Sequence, residues 1–194
     1  MENIENLYIT NRKDWRRWLV KNHKNKKEIW LIYYRKGSGK TRISYDDAVL
    51  EALCYGWIDG KIKGIDNQRY AQRFSPRKHN SSLSQMNKER IRQLIKENKM
   101  TKDGLAAVEH LYDFKKDTQE KLIIPNDILK LLKENKQTWE NFQNFPESYK
   151  RIRIAYILTR KKHGTEMYEK SLKNFIRMTA KNKNFGLRRE FTVC

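Results

Sequence analysis

No stretch of this sequence stays apolar for anything near the roughly 20 residues that a membrane-spanning helix requires. Cysteine (two), proline (three) and glycine (eight) are all scarce. Each shortage excludes something. Two thiols, Cys54 and Cys194, build neither a disulfide framework nor a zinc site, so a reducing, cytoplasmic setting is expected. The opening segment Met1–Glu5 is acidic and has no apolar centre, so no signal peptide is expected. His23, His79, His110 and His163 are scattered without metal-ligand spacing, and neither Gly-x-Ser-x-Gly nor Gly-x-Gly-x-x-Gly occurs. No metal and no cofactor is expected.

What is abundant is aromatic and basic. Five Trp, ten Tyr and seven Phe among 194 residues call for a packed core rather than a solvated tail. The formal net charge is +20. Two origins fit it. An anionic partner (nucleic acid, a lipid surface or a phosphorylated small molecule) would select for it. So would drift in an AT-rich coding sequence, which the 27 Lys, 16 Asn and only seven Ala also suggest. The charge is spread out: residues 1–40 carry a net +7, 41–100 a net +5, 101–145 a net −1 and 146–194 a net +9. A dedicated nucleic-acid stripe is usually more concentrated.

Periodicity assigns the elements. Thr10 or Asn11 caps a helix whose Trp15, Trp18 and Leu19 share one face. Glu28–Tyr34 reads as a strand, with Trp30 counted in the core beside Trp15 and Trp18. Ser44, followed by Asp46 and Asp47, starts a helix with an Ala48, Val49, Ala52, Leu53 stripe, which Gly56 stops. Two strands follow, 57–64 and 69–75. Ser84 and Thr101 open further helices, the second running to Leu111, and 115–120 is a charged linker. Beyond Pro125 only helices are read, near 127–134, 139–142, 149–160 and 166–178. The fold class is α+β: a small, antiparallel-rich sheet with helices first, then an all-helical part. Gly39-Lys40-Thr41 sits between a strand and a helix, as a phosphate-binding loop would, but Tyr34 occupies the place of its first glycine.

The densest segment is Cys54–Arg77. In the hairpin a three-residue loop, 66–68, sets Lys61 opposite Arg73 and Gly60 opposite Phe74. The apolar side chains then fall on one face, and Asp59, Lys61, Lys63, Arg69 and Arg73 share the other. Like charges opposed in this way favour an anion between them, so Asp59, Lys61, Arg69, Arg73 and Arg77 are the candidate ligand-binding residues. A solvated face with ordinary Asp–Arg pairing is the alternative. Cys54 has no base nearby in the sequence and is expected in the core. Asp59 is the one candidate acid–base residue.

Several strings resemble the YdeI/OmpD-associated (OmdA) family, whose members are often labelled bacteriocin-protection proteins. They are Asn11-Arg12-x-x-Trp15-Arg16-x-Trp18-Leu19, Ala52-Leu53-Cys54-Tyr55-Gly56-Trp57-Ile58-Asp59, Arg69-Tyr70-x-Gln72-Arg73-Phe74-Ser75-Pro76-Arg77 and Pro146-x-Ser148-Tyr149-x-Arg151. The resemblance implies a YdeI-like α+β domain over 1–118, an OmdA-like helical domain over 122–185 and a tail over 186–194. It implies a cytoplasmic bacterial protein of envelope stress or antimicrobial-peptide tolerance, with no established reaction or cofactor. Gly60, Leu83 and Glu166 depart from the family's usual residues. Three functions stay open: a non-enzymatic binder of an anionic ligand or partner through the hairpin face, a nucleic-acid-binding protein, and an enzyme using Asp59 on an anionic substrate held by Lys61, Arg69 and Arg73. Of these the non-enzymatic binder is favoured, because no catalytic constellation is visible.

Overall fold

The computed structural model describes residues 5–114 and 121–185. The 115–120 linker, the tail beyond residue 185 and Cys194 lie outside the described residues. The chain divides into two compact units, the first holding Met1–Leu83 and Arg90–Lys116, the second Ser84–Glu89 and Asp117–Cys194. Among the described residues no helix is long and apolar enough to cross a membrane.

The first unit is a four-stranded mixed sheet with helices on one face. Its elements are β1 (Asn6–Tyr8), α1 (Arg12–Asn22), β2 (Ile29–Tyr34), α2 (Tyr45–Cys54), β3 (Trp57–Gly64), β4 (Arg69–Pro76), the later part of α3 (Gln85–Lys96) and α4 (Lys102–Ala106). The strand order is β1-β2-β4-β3. β1 is parallel to β2 and the other neighbours are antiparallel. The three-residue β1 was not legible, being too short for a period-two pattern.

Local chemistry starts the helices as expected. The Asn11 side chain accepts the Asp14 N–H at 3.0 Å and Ser44 Oγ accepts the Asp47 N–H at 3.0 Å. Trp15 and Leu19 on α1 and the Ala48, Val49, Ala52, Leu53 stripe of α2 bury against Ile29, Leu31, Tyr33 and Phe74. The indole N–H of Trp15 donates to the Ala48 carbonyl at 3.0 Å, which seats α1 on α2. Helix α4 is shorter than expected. Its last turns are irregular, and Val108 still reaches the core.

Cys54 lies in this core, fully buried. Burial, with the nearby Glu51 carboxylate second, pushes its thiol up to about 11. At pH 8 only about one thiol in a thousand is then ionised. In a Cys194→Ser chain, a disulfide reagent should therefore label nothing until denaturant is added. Labelling of the native chain within minutes would contradict the packing.

The second unit is helical: the start of α3, then α5 (Asn126–Lys133), α6 (Lys136–Asn144), α7 (Glu147–Arg160) and α8 (Thr165–Ala180). Pro125 and Pro146 stand just before α5 and α7, where their missing N–H costs nothing. Ile128, Leu132, Phe142, Tyr149, Ile157 and Phe175 form its core. Glu89 takes two hydrogen bonds from the Arg151 guanidinium, at 2.7 and 2.9 Å, in the fork geometry that arginine provides.

Candidate ligand-binding face

The hairpin departs from its expected register halfway along. Near the turn Gly64 pairs with Tyr70, Lys63 with Ala71 and Ile62 with Gln72, and Ile65 N–H meets the Arg69 carbonyl across a loop of residues 66–68. Nearer the base the pairing slips by one: Asp59 faces Phe74, Ile58 faces Ser75 and Trp57 faces Pro76. A β-bulge between Asp59 and Ile62 makes the change.

The driving force is Trp57. The slip turns its indole into the core, where it is 1% exposed, packs edge-on to Trp18 and donates to the His23 carbonyl at 3.1 Å. Burying an indole outweighs burying Ile58, which turns outward instead. The Gln72 side-chain amide donates to the Gly60 carbonyl at 2.6 Å, satisfying a group that the bulge removes from the ladder.

The five charged residues therefore do not share one face. Asp59 turns to the helix side and accepts a hydrogen bond from Tyr45 Oη. Arg77 turns inward at the end of β4. Its guanidinium donates to Ser81 Oγ and the Ser82 carbonyl, both at 3.0 Å, and burial lowers its pKa, against the pull of Asp59. It holds the chain reversal after β4 rather than facing outward. Lys63, Arg69 and Arg73 stay on the outer face, while exposed Lys61 sits within the bulge.

Aromatic rings replace Asp59 on that outer face. Trp30 pairs with Arg73, Ile32 with Ala71 and Tyr34 with Arg69 across β2 and β4. Trp30 was expected in the core, but it is only half-buried and stands outside the helix-side cluster. The alternation of Glu28, Trp30, Ile32 and Tyr34 with Ile29, Leu31 and Tyr33 carries this signal, and reading the segment as uniformly buried hid it.

One carboxylate organises the face. Glu28 accepts the indole N–H of Trp30 at 2.9 Å, and its other oxygen takes Arg73 Nε and Nη2, both at 2.7 Å. The Trp30 hydrogen bond and then Arg73 lower the Glu28 pKa. The ring and the guanidinium are thus set side by side. At the turn Asp66 holds Arg69 in the same way, at 2.7 Å. The Tyr34 ring meets Tyr8 edge-on at 5.2 Å. Two shallow depressions lie along this surface. One of about 370 Å³ is bounded by Trp30, Lys63 and Ala71, and one of about 440 Å³ by Tyr34, Gln68 and Arg69.

Chemically, such a face stacks flat rings and pairs with anions. It presents two fixed arginines, exposed Lys61 and Lys63, and two carboxylates already engaged. The acid–base residue proposed from the sequence, Asp59, is on the other side of the sheet.

A helix-backed mixed sheet with an aromatic and basic outer face, followed by a helical unit, describes an α+β protein in two parts. The chain belongs to the family of the domain of unknown function DUF8412, whose model matches residues 7–107. Residues 121–182 match the family described as Bacteriocin-protection, YdeI or OmpD-Associated, in agreement with the resemblance read from the sequence. No curated protein and no solved structure matches the chain.

Proposed function

We propose that the protein is a cytoplasmic, non-enzymatic binder of a ring-bearing anion, and that single-stranded nucleic acid is the ligand class of its outer sheet face. The observation that carries this reading is the Glu28 carboxylate bridging Trp30 and Arg73. It fixes a stacking surface beside a phosphate-binding group. Bases stacked on exposed aromatics contribute about 1–3 kcal/mol each, and nearby cations follow the backbone. The Glu28 carboxylate is a small barrier, because a half-exposed pair such as Glu28–Arg73 is worth about 0–1 kcal/mol and the five-donor guanidinium can share a phosphate with it. The +20 charge supports the same reading through long-range attraction.

The enzyme reading loses its support, since Asp59 no longer faces Arg69 or Arg73. A small phosphorylated ligand on the hairpin is the second reading, favoured by the shallow depression beside Tyr34 and Arg69.

Fluorescence anisotropy with a labelled oligodeoxythymidylate of about 12 nucleotides tests the proposal. Trp30→Ala should weaken binding about tenfold. Arg69→Ala with Arg73→Ala should reduce the slope of log K against log salt by about 1.4, the value for two single-strand phosphate contacts. Equal binding by Trp30→Ala and wild type, or no binding at about 50 mM salt, would overturn it.

A further inference from the structure

A second arrangement, unrelated to the sheet face, lies in the helical unit. Arg153 is 5% exposed, yet no carboxylate or other acceptor meets its guanidinium among the described residues. The Phe185 ring lies 4.2 Å from its central carbon and the Tyr156 ring 4.9 Å. Its Nε is buried with no hydrogen-bond partner, and so is Nε of Arg160, two turns further along the same face of α7. Burial pulls the Arg153 pKa down, as expected for a cation stripped of water without a counter-ion.

Ring contacts account for only part of this. Cation–π contacts are worth about 0.5–2 kcal/mol and satisfy no N–H in the guanidinium plane. A buried donor left unpaired costs about 1–3 kcal/mol, more when charged. The buried Nε therefore calls for an acceptor that the described residues do not supply.

The space for one is present. Arg153, Tyr156 and Arg160 of α7 face Lys170, Ser171 and Asn174 of α8 across an open cleft of about 450 Å³, within the ~300–1,000 Å³ usual for small-molecule sites. Among the described residues that line it there is no aspartate or glutamate. Arginine's planar fork suits an oxyanion held by two oxygens, with Lys170 as a second charge at the rim. Tyr156, Met167 and Phe185 supply an apolar wall for the rest of the molecule.

We propose that this cleft binds a small organic oxyanion, a carboxylate or phosphate ester on an aromatic or aliphatic body, with Arg153 gripping the charged head. Calorimetric titration of the full chain with phenyl phosphate, benzoate, inorganic phosphate and neutral benzyl alcohol tests it. Saturable binding of phenyl phosphate or benzoate is expected, and whichever is tighter identifies the head group. Benzyl alcohol should not bind. Arg153→Lys should weaken binding about tenfold through loss of the fork. Lys170→Gln, an exposed change that leaves the fold alone, should weaken it about threefold. The Arg69→Ala, Arg73→Ala chain should bind as wild type, which separates this site from the sheet face.

Absence of saturation by either organic anion up to about 10 mM would overturn the assignment. So would unchanged affinity in Lys170→Gln and Arg153→Lys, loss of binding in the sheet-face variant, or benzyl alcohol binding as well as benzoate.

Discussion

Gly104→Ala should lower the stability of the first unit by about 2–3 kcal/mol, against the sign that helix propensity alone predicts. Gly104 lies within α4, where alanine is worth about 1 kcal/mol more than glycine. Here α4 rests on the end of α2. A Cβ on Gly104 would stand 2.2 Å from the Cys54 carbonyl oxygen, 2.6 Å from its carbon and 3.0 Å from the Leu53 oxygen. All three are backbone atoms, so no rotamer change relieves the contact. The same carbonyl accepts Thr101 N–H at 3.1 Å and Thr101 Oγ1 at 2.6 Å, which ties the start of α4 in place. Moving α4 away to admit a methyl group stretches both bonds. Overpacking costs of about 1–3 kcal/mol, and more where backbone must move, exceed the propensity gain. Chemical denaturation of the two chains decides it: a midpoint that is unchanged or higher would show that α4 docks less tightly than described. Gly56 is held in the same region by a positive φ of 73° and by a would-be Cβ contact of 2.7 Å with Ala107, so Gly56→Ala should also destabilise.

Glu51→Ala should cost more, about 3 kcal/mol. The Glu51 side chain is 3% exposed and bridges Arg12 Nε at 2.5 Å and Arg16 Nη1 at 2.7 Å, bringing α1 onto α2. Burial works against both guanidinium charges. The hydrogen bond and charge of Glu51 outweigh it, and both pKa values are raised. Without the carboxylate, two cations face each other over a pocket they cannot fully leave. Both arginines are about a third exposed, so part of the loss is recovered by water, which places the figure at the low end of the range for broken buried pairs. Glu51→Gln keeps the shape and one hydrogen bond and should cost less. The decisive measurement is a double-mutant cycle: Arg16→Ala should cost far less in the Glu51→Ala background than in wild type. Equal costs would mean that the pair contributes nothing. Both substitutions lie away from the outer sheet face, so ligand binding by the fraction still folded should be unaffected.

The comparison of pattern with structure is sharpest in the hairpin. Alternation and loop length placed its strands and set the register near the turn, because those follow from pleat geometry over a few residues. They missed the bulge, because its cause is remote. Trp57 turns inward only because α1 offers Trp18 and the His23 carbonyl there. One added residue then carries Asp59 across the sheet and dissolves the five-residue charged face. Trp30 was misplaced for the opposite reason. Its hydrophobicity marked it as core, whereas its position in the alternation put it on the open face beside Arg73. Arg153 could not be singled out at all, since nothing in the local sequence marks one arginine among sixteen as the one that is buried between two rings.

The sequence by itself determined the α+β class, the helix starts at Asn11 and Ser44, the strands of the hairpin, the burial of Cys54 and the family of the helical segment. These rest on short-range rules: caps, periodicity and turn geometry act within a few residues. Only the tertiary structure decided which charged residues share a surface, that Trp30 and Tyr34 join Arg69 and Arg73, and that Arg153 is buried with its Nε unpaired among the described residues. Each of those turns on the packing of side chains far apart in the chain, where the burial of one large ring outweighs the local preference of its neighbours.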